Sequence, residues 1–67
     1  MIVETVNGKM RIYIGIDKGS NDAFIVTSEK LKERIKECYK DVDLAWQHFV
    51  SSGKIQTPWA WYYVIEE

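Results

Sequence analysis

Apolar and polar residues alternate from residue 2 to residue 17 in two runs, Ile2–Val6 and Lys9–Asp17, separated by Asn7-Gly8. Alternation with a period of two is the mark of a strand, and Asn-Gly tolerates the positive φ angles of a type I′ turn. The pattern predicts a two-residue β-hairpin. Its ladder sets Val6 opposite Lys9, Glu4 opposite Arg11, Val3 opposite Ile12 and Ile2 opposite Tyr13. One face then carries Val3, Thr5, Met10, Ile12, Ile14 and Ile16, and the other Ile2, Glu4, Val6, Lys9, Arg11 and Tyr13. The first set is the more apolar and is expected to form the core, with Glu4 pairing with Arg11 on the wetter face.

Lys18-Gly19-Ser20-Asn21-Asp22 is a run of turn formers, and Ala23–Val26 follows as a short third strand. From Ser28 the period changes. Leu31, Ile35, Cys38, Val42, Ala45, Trp46 and Phe49 recur at three- and four-residue steps and share one helix face. Ser28 is the expected N-cap, Glu29 suits the positive end of the helix dipole, and Gly53 is the expected stop. Asp41 and Asp43 have poor helix propensity and either could cap a second helix. Because the stripe does not slip there, one long helix of roughly 35 Å is favoured. Pro58 then opens a final strand, Trp59–Ile65, built of aromatic and β-branched residues.

The predicted architecture is α+β. A three-stranded antiparallel meander is followed by one long helix on one sheet face and a fourth, C-terminal strand, in the order β-β-β-α-β. That last strand is expected to lie parallel to the first through a right-handed crossover. At 67 residues the chain forms one domain, 1–67. With 46% apolar residues and one proline it is expected to fold. No apolar run reaches the roughly 20 residues of a membrane span, and the first residues have no signal-peptide pattern. A single cysteine forms no internal disulfide. These features suggest a cytoplasmic protein.

Nine Lys and Arg against ten Asp and Glu give a net charge of −1, which disfavours both a basic nucleic-acid clamp and an acidic DNA mimic. The stretch Ile12–Ser20 with Phe24–Val26 resembles the strand-Asp-x-Gly-Ser-strand element that opens the ribonuclease-H-like fold of actin-like ATPases and resolvase-like nucleases. That resemblance implies a metal on Asp17 and a phosphate beside Gly19 and Ser20. Two-metal phosphoryl chemistry needs ligands for both ions. Asp41, Asp43, Glu66 and Glu67 are the carboxylates left for them, in a chain too short for that fold's larger sheet, so a turn stabilised by Asp17 is the expected role. His48 is the only histidine and projects away from the apolar stripe, which leaves no nucleophile–base pair or metal set. Cys38 lies in the stripe and is expected to be a buried, unreactive thiol. The chain reads as non-catalytic, with no cofactor.

The aromatic content carries the main functional hint. Three Trp and four Tyr exceed what a core of this size encloses, and four of the seven fall between Trp59 and Tyr63. One helix layer covers one sheet face. If Trp59, Trp61 and Tyr63 join Trp46 and Phe49 inside, Tyr62 and Tyr13 lie outside with Ile2, Val6 and Val64. Leu44, opposite the helix stripe, adds a second exposed apolar side chain. Exposed apolar patches with Tyr, Trp and Arg mark protein interfaces. The expected function is therefore protein–protein interaction, with self-association as a homodimer and Tyr13, Arg11, Tyr62, Leu44 and Trp59 as partner-binding residues. Accessory or inhibitor proteins of the mobile-element type act in this way, by masking or bridging a partner. The alternative is a single-stranded nucleic-acid binder that stacks bases on Tyr13 and Tyr62 beside Lys9 and Arg11.

Overall fold

The computed structural model describes residues 3–67. The chain forms β1 (Glu4–Val6), β2 (Lys9–Asp17), β3 (Ala23–Val26), α1 (Ser28–Cys38), α2 (Val42–Ser52), β4 (Lys54–Gln56) and β5 (Ala60–Glu66). The α+β class and the order of the longer elements agree with the sequence pattern. The structure adds a second helix and a short fifth strand.

The first hairpin has the expected register, Glu4 opposite Arg11 and Val6 opposite Lys9. Asn7 and Gly8 have φ angles of 51° and 77°, which carry the right-handed strand twist through a two-residue turn. The expected pairing of Ile2 with Tyr13 lies outside the described residues.

The three-stranded meander does not form as expected. β1 pairs with Lys9–Arg11 and β3 with Tyr13–Ile16, so the two short strands lie end to end along the same edge of β2. The other edge of β2 is free to receive β5, antiparallel, over seven residue pairs from Arg11–Glu66 to Asp17–Ala60. The parallel crossover beside the first strand is thereby corrected. β4 completes the sheet on the far side of β5, giving the order β1-β2-β5-β4 with β3 beside β2. Three residues are too few for β4 to show a period. Thr57, 2% exposed, closes the β4–β5 hairpin, its Oγ1 accepting from the Ala60 and Trp59 amides at 3.1 and 3.3 Å.

The single long helix is also corrected. Tyr39 ends α1 in an extended conformation, and Asp41 caps α2 by accepting from the Leu44 amide at 3.1 Å. The break lets both halves lie over a molecule only 34 Å in its longest dimension, where one rod would overhang the sheet. The Tyr39 hydroxyl donates to the Gln56 carbonyl at 2.8 Å and ties the break to β4. At the front of α1, Thr27 rather than Ser28 is the N-cap, its hydroxyl accepting from the Lys30 amide at 3.1 Å. Ser28 is the first helical residue, and its amide and hydroxyl both donate to Glu4, at 2.8 and 2.6 Å. Glu4 therefore serves the helix N-terminus instead of Arg11, a favourable place for a carboxylate. Gly53 ends α2 at φ 86°, as its position predicts.

The helices cover the face opposite to the one expected. Tyr13, Val26, Ala60, Tyr62 and Ile55 from the sheet pack with Leu31, Ile35 and Phe49 from the helices, and Trp46 and Val64 flank them. Steric fit accounts for the choice. Gly15 lies on this face, and a Cβ there would stand 2.4 Å from Phe24 and 2.9 Å from Tyr62. With Ala60 beside it, this small surface lets the Phe24 and Tyr62 rings meet edge to face at 6.1 Å. On β2 and β5 the isoleucine face carries only bulky side chains.

Candidate functional site

The inversion of the sheet turns its most apolar side outward. Alternation along β2 and β5, with β3 at the flank, puts Met10, Ile12, Ile14, Ile16, Ile25, Trp61, Tyr63 and Ile65 on one uncovered face. The ladder makes rows of these side chains, with Ile25, Ile14 and Tyr63 in one and Ile16 and Trp61 in the next. Met10 and Ile65 are about half exposed, at 51% and 52%, and Trp61 and Tyr63 are each 38% exposed. The patch leaves on the order of 500 Å² of apolar side chain uncovered, near the upper end for the largest patch of a monomer. No charged residue interrupts it. Polar residues stand at the β4 border, where Lys54 and Gln56 oppose Tyr63 and Trp61. Lys18 Nζ sits 5.2 Å from the Trp61 ring centre and donates to Gln56 Oε1 at 3.0 Å, fixing one corner.

The structure separates the five residues expected to bind a partner. Tyr13 and Tyr62 are 2% and 4% exposed and belong to the core, so neither offers a ring to the surface. Tyr13 packs against Trp46 and Phe49 at centroid distances of 5.4 and 6.2 Å. Burial pushes the Tyr62 hydroxyl above its ordinary pKa. Arg11 lies on the helix-covered side of the sheet and ion-pairs with Glu66, which Lys9 also approaches at 3.8 Å. The bond from Arg11 holds the Glu66 carboxyl below its usual range. Leu44 and Trp59 remain at the surface, 64% and 50% exposed, but apart from the uncovered sheet face. Leu44 borders a groove with Tyr39, Ala45, His48 and Ile55. Trp59 lies in the β4–β5 turn instead of in a core strand.

Asp17 ends β2 and stabilises the turn that follows. Its Oδ1 accepts from the Gly19 and Ser20 amides at 2.8 and 3.0 Å, and the Asn21 amide donates to its carbonyl at 2.8 Å. The two side-chain bonds, that from Ser20 foremost, draw its pKa below the ordinary carboxylate value. No group of three His, Cys, Asp or Glu among the described residues lies close enough to hold a metal ion. Cys38, expected in the core, is exposed because it is the last residue of α1, beyond the turns that pack on the sheet.

The residues missed as surface candidates are Met10, Ile12, Ile14, Ile16, Ile25, Trp61, Tyr63 and Ile65. Gly15 and Ala60 are the available signal, since two small residues among bulky ones mark the side approached by another layer. No protein family, curated protein or solved structure matches the chain when compared with it. No helix among the described residues is long and apolar enough to cross a membrane.

Proposed function

We propose that this protein is a non-catalytic interaction module that buries its uncovered sheet face against a macromolecular partner, with a second copy as the first occupant. The carrying observation is the continuous apolar face of β2, β3 and β5, free of charge at its centre. A twofold contact requires one surface to complement itself, and a patch without central charges meets its own copy without repulsion. Homodimer interfaces are the more apolar class. About 500 Å² of apolar side chain from each copy, with its border, approaches the roughly 800 Å² per partner of a standard interface. A protein of this kind works by occupying a surface of its partner, as an accessory or inhibitor does.

The test is solution mass by light scattering over a dilution series. The wild type is expected at twice 7.9 kDa. Ile14→Lys, at the centre of the face, is expected to give a monomer whose own fold melts no earlier. A variant that stays dimeric sinks the proposal for this face.

A second reading has one specific observation in its favour. Trp61 and Tyr63 are the aromatic rings on the open sheet, with Lys18 and Lys54 beside them, and would replace Tyr13 and Tyr62 as platforms for single-stranded nucleic acid. The five isoleucines around them offer nothing to a phosphate backbone. Binding of an oligonucleotide that weakens with salt would favour this reading, and binding without salt dependence would dispose of it.

A further inference from the structure

The two outer edges of the sheet differ. On the β4 side, the Lys54 carbonyl accepts from the Ser52 hydroxyl at 3.0 Å and the Gln56 carbonyl from the Tyr39 hydroxyl at 2.8 Å. Side chains thus occupy that strand's backbone acceptors, one means of blunting an edge. On the other side, β3 pairs with β2 alone, and among the described residues Ala23–Val26 make no other hydrogen bond. A row of backbone donors and acceptors is therefore left for another strand.

The surroundings of that edge select a partner. Phe24 and Val26, with Trp59 and Tyr62, line a cleft of about 520 Å³ roofed by Lys30 and Arg34 of α1. These two residues are one helical turn apart. Lys32, by contrast, lies over Trp46 of α2, at 4.7 Å from the ring centre. The cleft lining has one carboxylate, Asp17, whose Oδ1 already serves two amides of its own turn. Arg34 has one exposed partner on its own helix, Glu37 at 3.6 Å, a solvent-screened pair that leaves the guanidinium free to take a second carboxylate. We infer that the β3 edge takes an extended acidic segment of a partner protein as an added strand, with Lys30 and Arg34 holding its carboxylates and the cleft receiving an apolar side chain.

Main-chain pairing supplies affinity in such additions, and pockets for alternate side chains supply specificity. A second copy is the poorer occupant. Twofold antiparallel pairing through β3 would put both α1 helices on the same side of one continuous sheet, with Lys30 and Arg34 facing their own copies. The edge adjoins the uncovered isoleucine face through Ile25, whose cross-strand neighbour is Ile14, so the face is disabled from its far side by Ile65→Lys on β5, which has no pairing with β3.

The experiment titrates isotopically labelled protein, in the Ile65→Lys background, with a short synthetic peptide alternating Val and Glu and with its Val–Lys counterpart. The acidic peptide is expected to shift and protect amides of Ala23–Val26. The double variant Lys30→Glu/Arg34→Glu, both surface positions, is expected to bind it about tenfold more weakly and to accept the Val–Lys peptide instead. Lys30→Gln/Arg34→Gln, with a far-ultraviolet spectrum matching the wild type, is expected to lose the preference for the acidic peptide. The inference is overturned by equal binding of the two peptides, by shifts confined to Trp61 and Tyr63, by no shift at any peptide concentration, or by an oligonucleotide binding at this edge in place of the peptide.

Discussion

Replacing Gly15 with alanine tests which face of the sheet the helices cover. The new Cβ would stand 2.4 Å from Phe24 Cζ, 2.5 Å from Phe24 Cε2 and 2.9 Å from Tyr62 Cε1, all inside contact distance. Phe24 is 39% exposed and can swing outward, whereas Tyr62 is 4% exposed and held in the core. Overpacking of this kind costs about 1–3 kcal/mol. Alanine returns about 0.5–1 kcal/mol by restricting the unfolded chain and suiting the strand better than glycine. The net expectation is a loss of about 1–2 kcal/mol, which lowers the Tm of a domain this size by about 5–15 °C. Thermal and urea unfolding followed by circular dichroism, in the Ile14→Lys background so that association does not enter, measures it. Phe24→Ala should relieve part of the cost, giving a non-additive double-mutant cycle, while contact with Tyr62 keeps the rescue incomplete. If Gly15→Ala is as stable as its parent or more so, the steric argument fails and with it the reason for the covered face.

Two further predictions concern capping and pH. Asp41→Ala removes the acceptor for the Leu44 amide at the start of α2 and is expected to cost about 1 kcal/mol, measured by urea unfolding, whereas Asp41→Asn should keep most of it. Asp17 and Glu66 both have carboxyl pKa values lowered by their folded partners, the Ser20 and Gly19 amides and Arg11 respectively. Their contribution is therefore present above the unfolded-state value of about 4 and is lost as pH falls through the folded values. Unfolding midpoints should drop with acidification over that range, and less steeply in Asp17→Asn; an unchanged slope would contradict the assignment.

Much of the local structure was legible because local chemistry decides it. Asn7-Gly8 determined a turn type and with it a register, Gly53 a helix end, and the turn formers after Asp17 a loop. The long-range choices were not legible, for identifiable reasons. The helical stripe continues in phase across Tyr39–Asp41, so the break in the helix showed only in the capping ability of Asp41. Alternation ranked the isoleucine side of β2 as the more apolar, and neither side of β5 is polar, so nothing in that strand opposed the ranking. Counting bulky side chains favoured the isoleucine face. The structure instead favours the face on which Gly15 and Ala60 leave room for rings. The sharing of one edge of β2 by β1 and β3 depends on strand lengths, which alternation bounds loosely. These long-range choices moved Tyr13 and Tyr62 inside and brought Trp61 and Tyr63 out, so the candidate surface changed its members while remaining an aromatic sheet face.

Which sheet face is covered, and by what, is measured by labelling the isoleucine methyl groups and following their relaxation by a soluble paramagnetic probe, in the wild type and in Ile14→Lys. Ile35 and Ile55, both in the core, are expected to be protected in both proteins. Ile12, Ile16, Ile25 and Ile65 should be protected together in the concentrated wild type and accessible together in the variant. Accessibility of these four in the concentrated wild type would show that the face has no second copy upon it. Accessibility of Ile35 and Ile55 would show that the helices cover the other side.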